Sequence, residues 1–138
     1  MNIWTPFNST NQKLPVLVYI HGGAFFAGYN SKEDESGSYL AHEQNIIVVK
    51  MNYRLGVFGF YYLAEKEAGQ DFQGNWAILD QRLAMKWIFE NIEAFGGDPN
   101  LITLSGCSAG AQSAWVHMQE EASWPYFQKM ISFSSPPG

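Results

Sequence analysis

The chain is poor in cysteine: Cys107 is the only one in 138 residues. An intrachain disulfide is therefore impossible, and a thiolate-built metal cluster is excluded as well. Charge is also scarce, with charged residues at 15%, a net charge of −5 and no basic cluster. That balance argues against nucleic acid and against anionic membrane surfaces as partners. No apolar stretch approaches the roughly 20 residues that a membrane-spanning helix needs. Internal repeats, low-complexity tracts and an interdomain linker are likewise missing. Apolar residues are what the chain has in quantity: 46% are hydrophobic and 16% aromatic, enough for one core in one globular domain. Asn8-Ser9-Thr10 is a lone glycosylation sequon, too short a match to fix a compartment.

The order of local patterns implies an α/β fold. Asn2 to Thr5 reads as the end of a strand stopped by Pro6, and Phe7 to Lys13 as a polar turn. Val16 to Ile20 is β-branched and aromatic, bounded by Pro15 and Gly22, as a buried parallel strand should be. Tyr29 to Gly37 reads as a loop, a short helix begins at Ser38, and Asn45 to Met51 is the next strand. After Gly74-Asn75 comes the strongest helical pattern, where Trp76, Leu79, Leu83, Trp87 and Ile88 form a stripe that Ala84, Ile92 and Phe95 widen. This stripe is read as core packing. Gly96-Gly97 ends that helix, and Asp98-Pro99 turns the chain into a further apolar strand. Met130 to Phe133 reads as a last strand, with Trp124 to Gln128 leading in. Strands alternating with helices predict a parallel sheet with helical crossovers.

Two loops carry chemistry. Leu101 to Gly110 reads L-I-T-L-S-G-C-S-A-G, an apolar strand ending in Gly106-x-Ser108-x-Gly110 and followed by a helix-compatible run. Glycines flank a serine in this way where a strand turns sharply into a helix and a Cβ at either flank would clash. The turn raises the Ser108 hydroxyl above the sheet edge and aims the amide of Ala109 at the place where an oxyanion would form. Taken alone, the same five residues also describe an ordinary Gly/Ser turn. The second loop, His21-Gly22-Gly23-Ala24, follows the Val16–Ile20 strand, and its glycines allow backbone N–H groups to face inward. Cys107 reads as a buried small apolar residue rather than a reactive thiol.

Five ordered blocks resemble one family. They are Tyr19-Ile20-His21-Gly22-Gly23-Ala24-Phe25, Asn52-Tyr53-Arg54-Leu55-Gly56-Val57-Phe58-Gly59-Phe60, Gly74-Asn75-Trp76-Ala77-Ile78-Leu79-Asp80-Gln81, Phe95-Gly96-Gly97-Asp98-Pro99 and Gly106-Cys107-Ser108-Ala109-Gly110. In this order they resemble the type B carboxylesterases and cholinesterases of the α/β-hydrolase superfamily. The resemblance implies a partial α/β-hydrolase fold, with residues 1–138 as the amino-terminal portion of a carboxylesterase domain. It implies that Ser108 is the nucleophile toward a small-molecule carboxylic ester, with the amides of Gly23, Ala24 and Ala109 as oxyanion hole. It calls for no cofactor and no metal. It also implies that Arg54 and Asp80 form an interior structural ion pair. Three departures stand out: Ala24 replaces a third glycine, Cys107 replaces the acidic residue that usually precedes the serine, and Ser134-Ser135-Pro136-Pro137 differs from the usual ending.

A serine hydrolase of this kind uses a serine, an acid and a histidine in that chain order. The only histidine after Ser108 is His117, in the helix leaving the turn, where it reads as a surface or core residue. His21 belongs to the glycine loop, and His42 lies in a polar helix. The expectation is therefore an amino-terminal piece of a longer esterase, inactive alone for want of its base and acid. The competing expectation is a non-catalytic cholinesterase-like adhesion or binding protein, or a truncated remnant.

Overall fold

A computed structural model describes residues 1–7, 12–32, 36–62 and 74–134. The sequon at Asn8 and the Ser135-Pro136-Pro137 segment lie outside the described residues. The described strands are β1 (Asn2–Trp4), β2 (Leu14–Ile20), β3 (Ile47–Met51), β4 (Gly97–Cys107) and β5 (Lys129–Phe133). The helices are α1 (Ser38–Gln44), α2 (Gly56–Phe60), α3 (Trp76–Asn91) and α4 (Ala109–Gln119), with 3₁₀ turns at Ile92–Phe95 and Glu121–Tyr126. The strands form one sheet in the order β1-β3-β2-β4-β5, in which β1 runs antiparallel and every other pair is parallel.

β3 is buried along its whole length, and in β2 the residues Val16, Val18 and Ile20 are buried while Leu17 and Tyr19 are half-buried. Val16, Val18 and Ile20 of β2 and Ile47, Val49 and Met51 of β3 join Ile102 and Leu104 of β4 in one core with Met85 and Ile88 of α3 and Ala114 of α4. Pro15 would interrupt a central strand, since it has no N–H to donate. The ladder steps around it, passing from Leu14 opposite Gly97 to Val16 opposite Ile102. Gly97, where β4 begins, sits against Ile92, Val16 and Ile47, and a Cβ there would lie 2.6 Å from the Ile92 side chain. Gly96 takes a left-handed φ of 84° to close the 3₁₀ turn, as the Gly96-Gly97 stop signal implied.

The face of α3 differs from the sequence expectation. Its buried residues are Ala77, Gln81, Met85 and Ile88, continued by Ile92 in the following turn. Leu83 is 67% exposed and Trp87 and Phe95 are each 41% exposed, so the Leu83–Trp87 stripe does not face the core. The reason is that Gln81, polar in sequence, is buried through hydrogen bonds to partners in α4. Of the expected stripe, Ile88 and Ile92 are in the core, whereas Leu83 and Trp87 lie on the opposite side of the helix from Gln81 and Met85.

Met85→Ala should therefore lower stability by about 2–4 kcal/mol through the cavity it leaves. Leu83→Ala, on the exposed side, should change it by less than about 1 kcal/mol. Urea midpoints of the two variants check this, and equal losses would mean that α3 is rotated from the described orientation.

Candidate active site

β2 and β4 are neighbours, and Ile20 pairs with Gly106. The loops that leave their carboxyl ends are consequently side by side. In a parallel α/β sheet this crevice beyond the strand ends is where ligands bind. The Gly22 loop touches the Ser108 turn: a Cβ on Gly22 would lie 2.7 Å from the Cys107 carbonyl oxygen and 3.3 Å from Ser108 Cβ.

Ser108 itself has φ 54° and ψ −119°, a conformation that L residues rarely adopt. Such a backbone costs on the order of 1–3 kcal/mol and persists only where its surroundings over-determine it. Here they do. The Ser108 amide donates to the Phe133 carbonyl at 2.9 Å, and the Gln112 amide donates to the Ser108 carbonyl at 3.0 Å. A Cβ on Gly106 would stand 2.3 Å from Gly110 backbone atoms, and one on Gly110 would stand 2.0 Å from the Ile20 carbonyl oxygen. Helix α4 thus sits directly on the ends of β2 and β4. Ser108 is exposed, and Ala109 behind it is buried as the first residue of α4. The first amides of a helix lack intrahelical acceptors and carry the positive end of its dipole.

The loop after β2 is also left-handed over three consecutive residues: Gly23 at φ 116°, Ala24 at 53° and Phe25 at 60°. Its turn is closed by the amides of Phe26 and Ala27, which both donate to the Gly23 carbonyl at 2.9 Å. The amides of Gly23 and Ala24 donate to no acceptor among the described residues. Ala24 therefore holds a conformation that glycine adopts more readily, at a cost of about 1 kcal/mol. The loop is anchored from below by His21, whose ring stacks on Tyr53 with centroids 4.5 Å apart and whose Nδ1 lies 2.8 Å from the Gly22 carbonyl oxygen. The Tyr53 hydroxyl donates to the His21 carbonyl at 2.8 Å, and burial pushes this phenol up to about 12.

No histidine ring or carboxylate among the described residues is hydrogen-bonded to the Ser108 hydroxyl. His21 is the buried anchor just described, and His42 is exposed on α1. His117 is fully buried, between Ser123 and Gln81 at 3.0 Å each. Of the two readings left open for it, core is the one observed. Burial, assisted by repulsion from Arg82, pushes its imidazole down from 6.5 to about 4.

Arg54 and Asp80 do pair, in a bidentate arrangement with Nε to Oδ2 and Nη2 to Oδ1 at 2.7 Å, and the Arg54 amide adds a bond of 3.0 Å to Oδ2. Burial works against the Asp80 carboxylate, but these hydrogen bonds outweigh it and hold its pKa below the ordinary value. The pair is not interior, however: the side chains are 50% and 25% exposed. It ties the turn before α2 to the N-terminal part of α3. Cys107 likewise is half-buried rather than buried, because it closes β4 opposite Phe133 in β5, which is exposed. No group of three or more His, Cys, Asp or Glu that could hold a metal ion occurs among the described residues. No helix there is long and apolar enough to cross a membrane.

Comparison with known proteins gives one consistent answer. A family model described as the carboxylesterase family matches residues 1–137. Acetylcholinesterase of Danio rerio is 42% identical over 137 residues, covering 99% of this chain and 21% of the relative. Cholinesterase 1 of Branchiostoma lanceolatum is 42% identical over 135 residues, covering 98% of the chain and 36% of the relative. A solved structure described as a thermophylic PNB esterase superposes with a TM-score of 0.83 at 46% identity, over 91% of this chain and 26% of the other. The chain thus spans only about a fifth to a third of the length of the relatives it matches.

Two outcomes follow from this geometry. Gly110→Ala should destabilise the fold by roughly 2–4 kcal/mol, because its Cβ meets backbone rather than a movable side chain; an unchanged urea midpoint would contradict the close contact. His117 is protonated more readily in the unfolded chain than in the folded one, so acid favours unfolding. Stability should be unaffected by His117 above pH 6.5 and should fall by about 2 kcal/mol by pH 5. Comparison with His117→Gln at pH 7.5 and pH 5 isolates this contribution, and parallel pH slopes would refute it.

Proposed function

The chain belongs to the carboxylesterase family, and from that premise we propose that it supplies the nucleophile and the oxyanion hole of a serine ester hydrolase. The observation that carries the reading is the Ser108 backbone: a strained, exposed serine at a strand-to-helix turn, a nucleophile elbow in direct contact with a glycine loop. In the proposed reaction Ser108 Oγ attacks the ester carbonyl carbon while its proton passes to a base. The carbonyl oxygen becomes an oxyanion, which the amides of Gly23, Ala24 and Ala109 stabilise. Collapse of the tetrahedral intermediate breaks the carbon–oxygen bond to the alcohol, which leaves with the proton. Water then releases the acyl group from Ser108 by the same route.

The base and its orienting acid come, on this reading, from outside these 138 residues, since all three histidines are placed elsewhere. A neutral ester is the better substrate. Cys107 puts no negative charge next to the serine, and the left-handed loop carries Phe25 and Phe26 rather than charged side chains.

The test is a fluorophosphonate probe and p-nitrophenyl butyrate, applied to the protein that carries this chain. Mass analysis should find the phosphonyl group on Ser108, and Ser108→Ala should lower kcat by about 10³-fold or more. The 138-residue chain by itself should show only residual turnover. Hydrolysis that survives Ser108→Ala would sink the nucleophile assignment. Turnover by the chain alone that requires Ser108 would instead sink the external base.

A further inference from the structure

Gln81, Ser113, His117 and Ser123 are polar side chains with no solvent exposure, and they form a single row between α3, α4 and the 3₁₀ turn that follows. The directions of their hydrogen bonds can be worked out from one end. The Ser113 hydroxyl lies 3.1 Å from the Ala109 carbonyl oxygen, which can only accept, so Ser113 donates its one proton there. Ser113 Oγ must then accept from the Gln81 amide nitrogen, also at 3.1 Å. With the amide so oriented, Gln81 Oε1 faces His117 Nε2 at 3.0 Å, and Nε2 has to carry the proton. Nδ1 is left as an acceptor, and the Ser123 hydroxyl donates to it at 3.0 Å. Four hydrogen bonds run in one direction and end on Ala109, the residue after Ser108.

We propose that this hydrogen-bond chain is a positioning device for the Ser108 turn. In it, Gln81 and His117 hold Ser113 in the rotamer that ties down the first turn of α4. The proposal rests on the reading of Ser108 as nucleophile. The physical need is specific. The first turn of a helix is where fraying begins, and here that turn must hold a strained residue and present the Ala109 amide at a fixed place. Ser113 back-bonds to the carbonyl of its own helix four residues earlier, which in isolation slightly destabilises and often bends a helix. Gln81 removes that freedom by occupying the hydroxyl's acceptor site. Gln81 is in turn fixed at its other end by His117, so the orientation of one turn is set by a side chain from another helix. None of the hydrogen bonds of Ser113, Gln81 and His117 goes to Ser108, so they act on it through the backbone.

The experiment uses Ser113→Ala and, independently, Gln81→Met in the protein that carries this chain. It measures kcat and KM for p-nitrophenyl butyrate per fluorophosphonate-titrated site, together with amide exchange over residues 105–113. The expected result is a fall in kcat of about 10-fold with KM within about twofold, faster exchange in that peptide, and unchanged exchange in β2 and β3. Ser113→Thr, which keeps the hydroxyl, should recover most of the rate. If both variants keep the wild-type kcat per titrated site and only melt earlier, the row is a packing feature and the proposal fails. If the wild-type protein is not labelled at Ser108, the nucleophile reading fails first and takes the proposal with it.

Discussion

The site depends on how closely α4 can settle onto the ends of β2 and β4. That approach is possible only because three side chains are absent. Gly110 lies against the Ile20 carbonyl, Gly106 against Gly110, and Gly22 against the Cys107 carbonyl, each at a separation no Cβ tolerates. With those contacts in place the chain between β4 and α4 has no slack, and Ser108 is held at φ 54°. The strain of one residue, on the order of 1–3 kcal/mol, is small beside the burial of Ala111, Ala114 and the rest of the inner face of α4. Packing of the helix therefore maintains the turn, and the turn exposes the hydroxyl.

This dependence explains why the two loops were legible in the sequence. A glycine demanded by a backbone contact marks its own place, and Gly106, Gly110 and Gly22 mark the two loops directly. The register that brings the loops together, Ile20 opposite Gly106, is the end of an unbroken parallel pairing that starts at Val16 opposite Ile102. Element order was legible for the same kind of local reason: β-branched runs, Gly96 at a left-handed stop, Asn75 at φ 51° before α3.

What the sequence concealed was the partnering of polar groups. Residues 77, 81, 85, 88 and 92 make a regular helical stripe, but Gln81 breaks it for any reading based on hydropathy. The larger residues Leu79, Leu83 and Trp87 then attract the assignment to the wrong side. Gln81 belongs inside only because Ser113 and His117 meet it there, and those partners are 32 and 36 positions away in the chain. For the same reason the identity of the Arg54–Asp80 pair could be expected while its exposure could not, since exposure is set by what other elements cover. Nor could the local sequence around Cys107 reveal that its neighbour Phe133 in β5 would be left open.

The two halves of the proposed chemistry make different demands on a fold, and the backbone of this chain suits one of them. Stabilising an oxyanion needs amides held still before the reaction begins, so that no reorganisation is required when charge develops. Rigid backbone supplies that: the left-handed loop at Gly23 and Ala24, pinned by its own carbonyl bonds and by the His21–Tyr53 stack, and the first turn of α4, packed on two strand ends. Removing the serine's proton needs instead a titratable group near neutrality, free to take and return a proton. Here the one histidine beyond the turn is buried, neutral and committed to Gln81 and Ser123. Its low pKa suits it to fixing structure and unsuits it to proton transfer at neutral pH. On the proposed reading, the hydrogen bonds that steady the first turn of α4 are the same ones that keep His117 from acting as the base. On that reading, the proton acceptor for Ser108 is a group other than His117, reaching the exposed hydroxyl from outside α4.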